Sequence, residues 1–371
     1  MTMSPEFLFE TFHRVNSDWK RSDESLYGFL DRSGAPKIEK IRSILNDWFS
    51  LIPSDKRSEY YNRLTHKKNF DGAFYELFLL ALFTNIEVSV EIEPLLDLSA
   101  RKLDFLLTKN NSRIFVEATT NECSLTSAIP NFKIREQIVD ELNDLDLNQV
   151  RLLIYDLKII QKQKPSIREL KSELVKHCKE IERNELVDHT FLTADENVFN
   201  FSKEDLFFTC AFFIDKKPTG HPRRTVYADS YDISIDPLLK QLNKSVKNKK
   251  SRYGELNRPY VICVNFPNRP LDQDEILSIM DPFARQHAGF IGKRPDLSNF
   301  KRLIDDSISA LFISHVTPFN LHDPQYWFIK NPNAKKPIDN LAILFDYYDL
   351  EEDNFVIKLT GRFIPELMGI I

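Results

Sequence analysis

The stretch KLDFLLTKNNSRIFVEATT, residues 102–120, holds two apolar runs on either side of a group of turn-forming residues. We interpret it as a β-hairpin whose loop is residues 109–112. In that register Asp104 lies directly opposite Glu117, so that two acids face each other across the hairpin. The same register pairs Thr108 with Arg113, Leu106 with Phe115 and Lys102 with Thr119.

The two faces of this hairpin differ in character, because side chains alternate along a strand. One face is entirely apolar and is expected to be core; it holds Leu103, Phe105, Leu107, Ile114, Val116 and Ala118. The other face carries both acids. Carboxylates directly across a ladder repel each other, and solvent, a basic partner, a shared proton or a cation must offset that cost. A hard cation such as Mg²⁺, or Mn²⁺, suits two carboxylates best.

A third acid, Glu76, lies in the preceding segment FDGAFYELFLLALF, residues 70–83. That segment is apolar nearly all round, which predicts a buried helix. A carboxylate within a buried helix is rare unless it is paired or binds a metal. If the helix packs on the sheet edge, Glu76 points toward the same cation as the two hairpin acids, although an Arg or Lys partner is the alternative.

Composition limits the classes of function. The chain has 371 residues and a net charge of −5, so any nucleic-acid contact must come from a local basic surface. Its four cysteines are widely spaced and form no CxxC pair, and its histidines form no HxH or HExxH pattern, which disfavours zinc chemistry. We find no Walker A or GxSxG motif, no secretory signal and no membrane-spanning run, and therefore expect a cytoplasmic protein.

The order of elements predicts an α/β (α+β) fold with a mixed β-sheet flanked by helices. Residues 70–157 give a helix, three strands, a helix and a strand in turn. We expect three regions: a helical N-terminal region at 1–65, a core at 66–200, and an α/β C-terminal elaboration at 201–371 that could continue the core sheet.

This order, with Glu76, Asp104 and the VEAT segment around Glu117, resembles the core of the PD-(D/E)xK nuclease superfamily, whose fold is called restriction-endonuclease-like. The resemblance covers less than a quarter of the chain. It implies metal-dependent hydrolysis of a nucleic-acid phosphodiester, with the three acids and the Ala118 carbonyl holding one or two Mg²⁺. It also suggests a setting in bacterial defence against phage or in a mobile element.

The sequence departs from the family pattern where that pattern has a lysine two residues after the strand Glu. Thr119 stands there and cannot replace the charge. Lys102, the expected cross-strand neighbour of Thr119, is the proposed substitute that orients the attacking water or stabilises developing negative charge. Lys133 and Gln137, at the start of the next helix, are weaker candidates for the same role.

Basic residues downstream predict where nucleic acid binds. Lys240, Lys244 and Lys247 follow helical spacing in KQLNKSVKNKKSRY, residues 240–253, while Leu239, Leu242 and Val246 are expected to face inward. A solvated helix face is the alternative reading. A basic loop at residues 216–224 contributes Arg223 and Arg224 as a second contact.

Three functions remain open from the sequence. The first is a metal-dependent endonuclease acting on DNA in preference to RNA. The second is a catalytically inactive protein of the same fold that binds nucleic acid, for which Thr119 is the best support. The third is an interaction protein in a larger assembly. A homodimer and a complex with a partner protein are both compatible with the sequence.

Overall fold

The structure is a computed structural model that describes residues 5–16, 18–96, 99–121, 131–147, 150–161, 163–183, 198–214, 226–228, 235–253, 256–268, 270–271, 276, 304–338, 346–351, 354–358 and 363–370. The chain divides into two compact units. The first comprises residues 1–10, 43–123 and 234–371, and the second comprises residues 11–42 and 124–233.

The protein has the predicted α+β architecture, a mixed sheet flanked by helices. The described helices are α1 (Leu26–Arg32), α2 (Pro36–Ser50), α3 (Ser54–Thr65), α4 (Phe70–Asn85), α5 (Phe132–Asn143), α6 (Arg168–Arg183), α7 (Ile235–Tyr253) and α8 (Ile364–Leu367). The described strands are β1 (Ser89–Ile92), β2 (Leu95–Leu96), β3 (Ser99–Lys102), β4 (Phe105–Lys109), β5 (Ser112–Thr120), β6 (Val150–Ile159), β7 (Val198–Lys203), β8 (Leu206–Ile214), β9 (Val226–Ala228), β10 (Tyr260–Asn265), β11 (Ala310–His315), β12 (Gln325–Lys330), β13 (Tyr347–Glu351) and β14 (Asn354–Lys358).

The first unit is built on an eight-stranded sheet with the order β1-β4-β5-β10-β11-β12-β13-β14. Its centre is parallel, because β5 pairs with β10 and β10 pairs with β11 in the same direction. Both ends of the sheet contain antiparallel pairs. Every residue of β10 is buried, as expected for a central strand covered on both faces.

The hairpin β4–β5 has the predicted register, with Leu106 opposite Phe115 and Thr108 opposite Arg113. Its loop is shorter than expected. The ladder extends to Lys109 and Ser112, so that the turn is only Asn110 and Asn111. Both asparagines have positive φ, 48° and 66°, as a two-residue type I′ turn requires. Asparagine tolerates this conformation better than most residues, which explains the tight turn.

The apolar face of the hairpin is buried, as predicted, but the opposite face is buried too. Leu106 and Phe115 are each only 4% exposed and pack in one core cluster with Leu242 and Val246 of α7. Leu103, assigned by alternation to the first face, belongs to this same cluster, because the chain bends at Asp104 before β4 begins. Helix α7 therefore lies over the face that carries Glu117.

Helix α4 is apolar on all sides, and it is buried as its sequence predicts. Eleven of its residues are buried, including Phe74, Tyr75 and Phe78. It contacts both β1 and β5 in the first unit, so the helix packs against the hairpin side of the sheet. Glu76 is thereby held near the edge of the hairpin.

The second unit contains a separate four-stranded sheet of order β7-β8-β6-β9. Its core cluster joins residues of α5 and α6 to the inner faces of β6 and β8, including Leu142, Leu174, Leu152 and Phe208. The helix α5 and strand β6 thus belong to this unit and not to the sheet of the hairpin.

This organisation differs from the three regions expected from the sequence, 1–65, 66–200 and 201–371. Strand β10, from the last of these regions, pairs directly with β5, so the hairpin and the C-terminal strands share one sheet. Residues 124–200, expected to complete the core around the hairpin, fall in the second unit. The sequence order α5–β6 resembled a continuation of the core because strand pairing between distant segments is not visible in a linear pattern.

Candidate active site

Asp104 and Glu117 meet at the open end of the hairpin. The ladder between β4 and β5 ends at the pair Phe105 and Val116, so the two acids lie just beyond it. The Asp104 backbone NH is 3.4 Å from Oε2 of Glu117, and Asp104 Oδ2 accepts a hydrogen bond of 2.6 Å from the Ala118 backbone NH. Side chain and backbone contacts thus replace the ladder here and hold the carboxylates together.

Glu117 is fully buried, and three side chains of α7 converge on its Oε1 atom. Lys249 donates to it at 2.7 Å, the Tyr253 hydroxyl at 2.9 Å and Arg252 at 3.3 Å. A buried carboxylate without such partners would cost several kcal/mol, on the order of the desolvation of an ion in protein. Helix α7 therefore supplies the positive charge that lets Glu117 remain inside the sheet.

The environment of Asp104 raises its pKa to about 7. Burial is the largest cause, and the negative charges of Glu117 and Glu76 add to it. Lys249, 3.9 Å from Oδ2, and the hydrogen bond from Ala118 act in the opposite direction but do not cancel the rise. Burial and the two neighbouring acids therefore disfavour the charged form of Asp104, a cost that a bound cation would offset.

Lys249 is the residue of the candidate site that the sequence interpretation missed. Its place in a basic run does not predict this role, because nothing local connects it to an acid 132 residues away. One signal was available: Lys249 lies three residues after Val246 and seven after Leu242, on the inward stripe of α7. A lysine on an apolar stripe needs an acidic partner.

Lys102 does not take the place predicted for it. It lies in β3, which pairs with β2, and its Nζ atom is 2.9 Å from Oε2 of Glu93. The hairpin ladder stops at Phe105, so the expected pairing of Lys102 with Thr119 does not form. Thr119 instead pairs with Val264 of β10. The prediction failed because the chain bends at Asp104 and turns away from the hairpin.

Glu76 forms an ion pair with Arg63 and does not join the two hairpin acids in one site. Both of its oxygens accept hydrogen bonds from Arg63 of α3, one of them at 2.8 Å, and the Tyr60 hydroxyl donates to it at 3.1 Å. Burial alone would lower the pKa of Arg63, but the bond to Glu76 raises it. Glu76 is near enough to raise the pKa of Asp104. The Arg partner thus matches the alternative reading of this residue.

The remaining predicted residues are spread over the structure. Lys133 and Gln137 are exposed on α5 of the second unit, and Lys244 and Lys247 are exposed on α7. Leu242 and Val246 of α7 are buried, in agreement with the predicted inward face. Ala118 contacts Asp104 through its NH group. Arg223, Arg224 and the side chain of Lys240 lie outside the described residues.

The donor set of the hairpin fits a hard cation. Within the described ranges, no three His, Cys, Asp or Glu side chains form a metal-binding group, so the expected three-acid site with Glu76 is not assembled. Mg²⁺, however, needs only one or two carboxylates and takes waters and phosphate oxygens for the rest. Asp104 and Glu117 provide that pair. A bound cation would lower the raised pKa of Asp104.

Comparisons with known proteins give no family assignment. No protein-family model matches the chain, and no curated protein matches its sequence. Among the described helices, none is both long and apolar enough to cross a bilayer. The geometry of Asp104, Glu117 and Lys249 is thus the main support for any functional interpretation.

Proposed function

We propose that this protein is a metal-dependent nuclease that hydrolyses nucleic-acid phosphodiester bonds, with DNA favoured over RNA. The observation that carries the proposal is the cluster formed by Asp104, Glu117 and Lys249. It combines two adjoining carboxylates with one lysine amine that is 2.7 Å from the first acid and 3.9 Å from the second. This is the acid–acid–lysine combination of the PD-(D/E)xK pattern, with the lysine supplied by a distant helix.

The carboxylates of Asp104 and Glu117 would hold Mg²⁺ or Mn²⁺. The bound ion would lower the pKa of the attacking water and withdraw charge from the scissile phosphate. Asp104 is the more accessible ligand, because a quarter of its side chain is exposed whereas Glu117 is fully buried. The hydrogen bond from Ala118 fixes the orientation of Asp104 on the protein side.

Lys249 takes the role that the sequence assigned to Lys102. Its amine is held between the two acids by α7, and only 18% of the side chain is exposed to water. A positive charge preorganised in such a position stabilises negative charge that develops on the phosphate, or orients the attacking water. Thr119 then needs no charge of its own.

The outer side of α7 offers a surface for the nucleic-acid backbone. Lys244 and Lys247 are exposed there, and Arg252 is 56% exposed at the end beside Glu117. Lys and Arg side chains bind phosphates without regard to base sequence. A strand that follows these cations arrives at Asp104 and Glu117, because Lys249 and Arg252 belong to the same helix.

The test is an incubation of the purified chain with plasmid DNA, single-stranded DNA and RNA in Mg²⁺, Mn²⁺ or EDTA. Cleavage is expected with either metal, to stop in EDTA, and to be lost in both Asp104→Asn and Glu117→Gln. Glu91→Gln serves as the matched control, because Glu91 is an exposed acid on the neighbouring strand β1. Equal cleavage by the variants and the control would refute the proposal.

One observation favours a second function, an inactive nuclease fold that binds nucleic acid. Three donors already occupy Oε1 of Glu117, and a catalytic carboxylate must exchange some of them for a metal. If α7 does not release them, the site binds phosphates through Lys249 and Arg252 but does not cut. Salt-sensitive DNA binding without cleavage in any metal would establish this alternative.

We also propose a cytoplasmic setting. Among the described residues, Cys178, Cys210 and Cys263 are buried and form no disulfide. Such thiols suit a reducing compartment. A role in bacterial defence or in a mobile element is part of the same proposal and depends on the resemblance to the nuclease superfamily.

A further inference from the structure

An open cleft of about 450 Å³ lies in the first unit, where residues around the amino end of α4 meet the carboxyl end of β5. Its lining includes Arg63, Lys68, Asn69, Gly72, Thr120 and Asn121. They come from around the end of α3, the start of α4 and the end of β5, and the last two of these elements also carry residues of the candidate site. Gly72 precedes Glu76 by one helical turn of α4, and Thr120 follows Glu117 by three residues on β5.

The cleft has the groups that bind an oxyanion. Lys68 is exposed, and no ion-pair partner for it occurs among the residues that the structure describes. Arg63 uses its two Nη atoms for Glu76, which fixes the guanidinium while 28% of the side chain remains exposed. A guanidinium has five N–H donors, so the pair with Glu76 leaves further donors for a ligand.

The amino end of α4 also favours an anion in the cleft. Asn69 precedes the helix but makes no side-chain hydrogen bond that caps it. A Cβ atom built at Gly72 would meet no atom within 4 Å, so the cleft reaches the backbone of the first turn. Backbone NH groups at a helix amino end favour anions, although this feature alone would not define a site.

Asn121 supplies an unpaired donor on the other wall. Its Oδ1 atom accepts a hydrogen bond of 2.8 Å from Ser245 of α7, which orients the amide. Its Nδ2 atom is buried and has no hydrogen-bond partner within the described part of the chain. Leaving such a donor unsatisfied costs about 1–3 kcal/mol. An acceptor oxygen in the cleft, with a small movement of the amide, would relieve that cost.

Asp71 also lines the cleft and opposes these cations. Its backbone carbonyl lies 3.4 Å from the Thr120 hydroxyl, which connects the two walls. Arg63 is already paired with Glu76, so Lys68 is the cation that balances the single charge of Asp71 at the cleft. An acid in the first turn of a helix also interacts favourably with the helix dipole, which accounts for Asp71 without a role in binding.

We propose that this cleft binds a second phosphate of the nucleic-acid strand whose reactive phosphate lies at Asp104 and Glu117. The inference rests on the proposed function. Thr120 is the third residue after Glu117 on β5, which corresponds to ~10 Å at the strand rise. A strand of B-form DNA rises 3.4 Å per nucleotide and also winds around the axis, so phosphates ~10 Å apart in space are about one or two nucleotides apart. The cleft sets the position of the strand relative to the acids.

The experiment measures binding of a fluorescein-labelled DNA duplex to the full chain in EDTA, by anisotropy over a range of salt concentrations. Lys68→Gln is expected to weaken binding several-fold and to reduce the slope of log K against log salt by about one. Lys67→Gln is the matched control, because Lys67 is exposed next to Lys68 but does not line the cleft.

A second set of variants tests the cleft without weakening the fold. Gly72→Glu places a negative charge in the cleft, while a Glu in the first turn favours the helix. It is expected to weaken DNA binding more than tenfold, whereas Gly72→Gln, of equal size and no charge, weakens it much less. Unfolding in urea would show that both variants remain folded.

The outcomes separate the cleft from the nuclease proposal. Unchanged binding in Lys68→Gln and Gly72→Glu, or no DNA binding by the unmodified chain, would overturn the phosphate subsite. Weakened binding in both variants, with the two controls near the unmodified protein, supports it. That result stands even if no metal supports cleavage, in which case the nuclease proposal alone fails.

Discussion

Lys249 Nζ lies 2.7 Å from Oε1 of Glu117, although 132 residues separate the two in the chain. The contact joins α7 to the central part of the sheet and gives a buried acid its countercharge. It also places a lysine amine 3.9 Å from Oδ2 of Asp104. Under the proposed nuclease function, Lys249 would supply the positive charge that Thr119 lacks.

Replacing Lys249 tests this assignment directly. Lys249→Gln is expected to reduce the rate of Mg²⁺-dependent cleavage by about 10²–10³, the usual cost of removing one preorganised donor from a developing oxyanion. Lys102→Gln is expected to change the rate by no more than about twofold, because Lys102 is paired with Glu93 and not with the acids. Single-turnover cleavage of a labelled duplex measures both rates.

The opposite ranking would restore Lys102 as the substitute lysine and remove Lys249 from the mechanism. Lys249→Arg is a useful control, since it keeps the charge but changes the geometry of the donor. Partial recovery of the rate by Arg, with the fold intact by circular dichroism, supports an electrostatic role for the group at this position.

Local sequence patterns were sufficient to predict the hairpin. Alternating apolar residues on either side of two asparagines determine which residues face each other, and the pairing of Leu106 with Phe115 followed correctly. The same reasoning predicted the buried helix α4 from its uniform apolar character. Both predictions depend on contacts between residues close in the chain, or on apolar residues that recur at a fixed spacing.

The partners of the acids could not be predicted in this way. Lys102 is near Thr119 in an ideal ladder, but the bend at Asp104 sends it to Glu93. Glu76 finds Arg63 on a neighbouring helix, and Glu117 finds Lys249 across the fold. A buried carboxylate predicts that some cation is present, but only the packing of distant elements decides which one.

The raised pKa of Asp104 makes stability depend on pH. Its ordinary value is 3.8, and the folded protein raises it to about 7, so the folded state binds this proton more tightly than the unfolded state does. Protonated Asp104 therefore adds to the free energy of unfolding at low pH, and this stabilisation is lost as pH rises from about 4 to 7. In EDTA, Asp104→Asn is expected to be more stable than the unmodified protein above pH 7.

Urea unfolding of both proteins at pH 5 and pH 8 measures this effect. The advantage of Asp104→Asn is expected to shrink toward pH 5, where the aspartate in the folded protein is protonated and resembles the amide. A variant that is less stable than the unmodified protein at pH 8 would show that Asp104 is stabilised as a carboxylate there, in conflict with the raised pKa.

Metal binding should compete with the donors on Glu117. The Tyr253 hydroxyl is 2.9 Å from Oε1, and burial raises its pKa, so it is a neutral donor at physiological pH. Tyr253→Phe removes one competing hydrogen bond and is expected to tighten the apparent Kd for Mg²⁺ by a few-fold. Calorimetric titration with Mg²⁺ measures it, and weaker binding in Tyr253→Phe would show that the hydroxyl positions Glu117 for the metal.

Glu76 provides a test of whether the third acid is structural. Both of its oxygens bind Arg63, and Tyr60 adds a further bond, so Glu76→Ala leaves a partly buried guanidinium without its partner. We expect a loss of about 2 kcal/mol in the free energy of unfolding in EDTA, below the 3–5 kcal/mol of a fully buried pair because Arg63 remains partly exposed. Urea unfolding measures it, and Arg63→Gln is also expected to lower the free energy of unfolding.

A metal ligand would behave differently: its removal would leave stability in EDTA nearly unchanged and would abolish the stabilisation that Mg²⁺ provides. Because the pairing with Arg63 does not depend on metal, Glu76→Ala should instead be destabilised to the same degree in EDTA and in Mg²⁺.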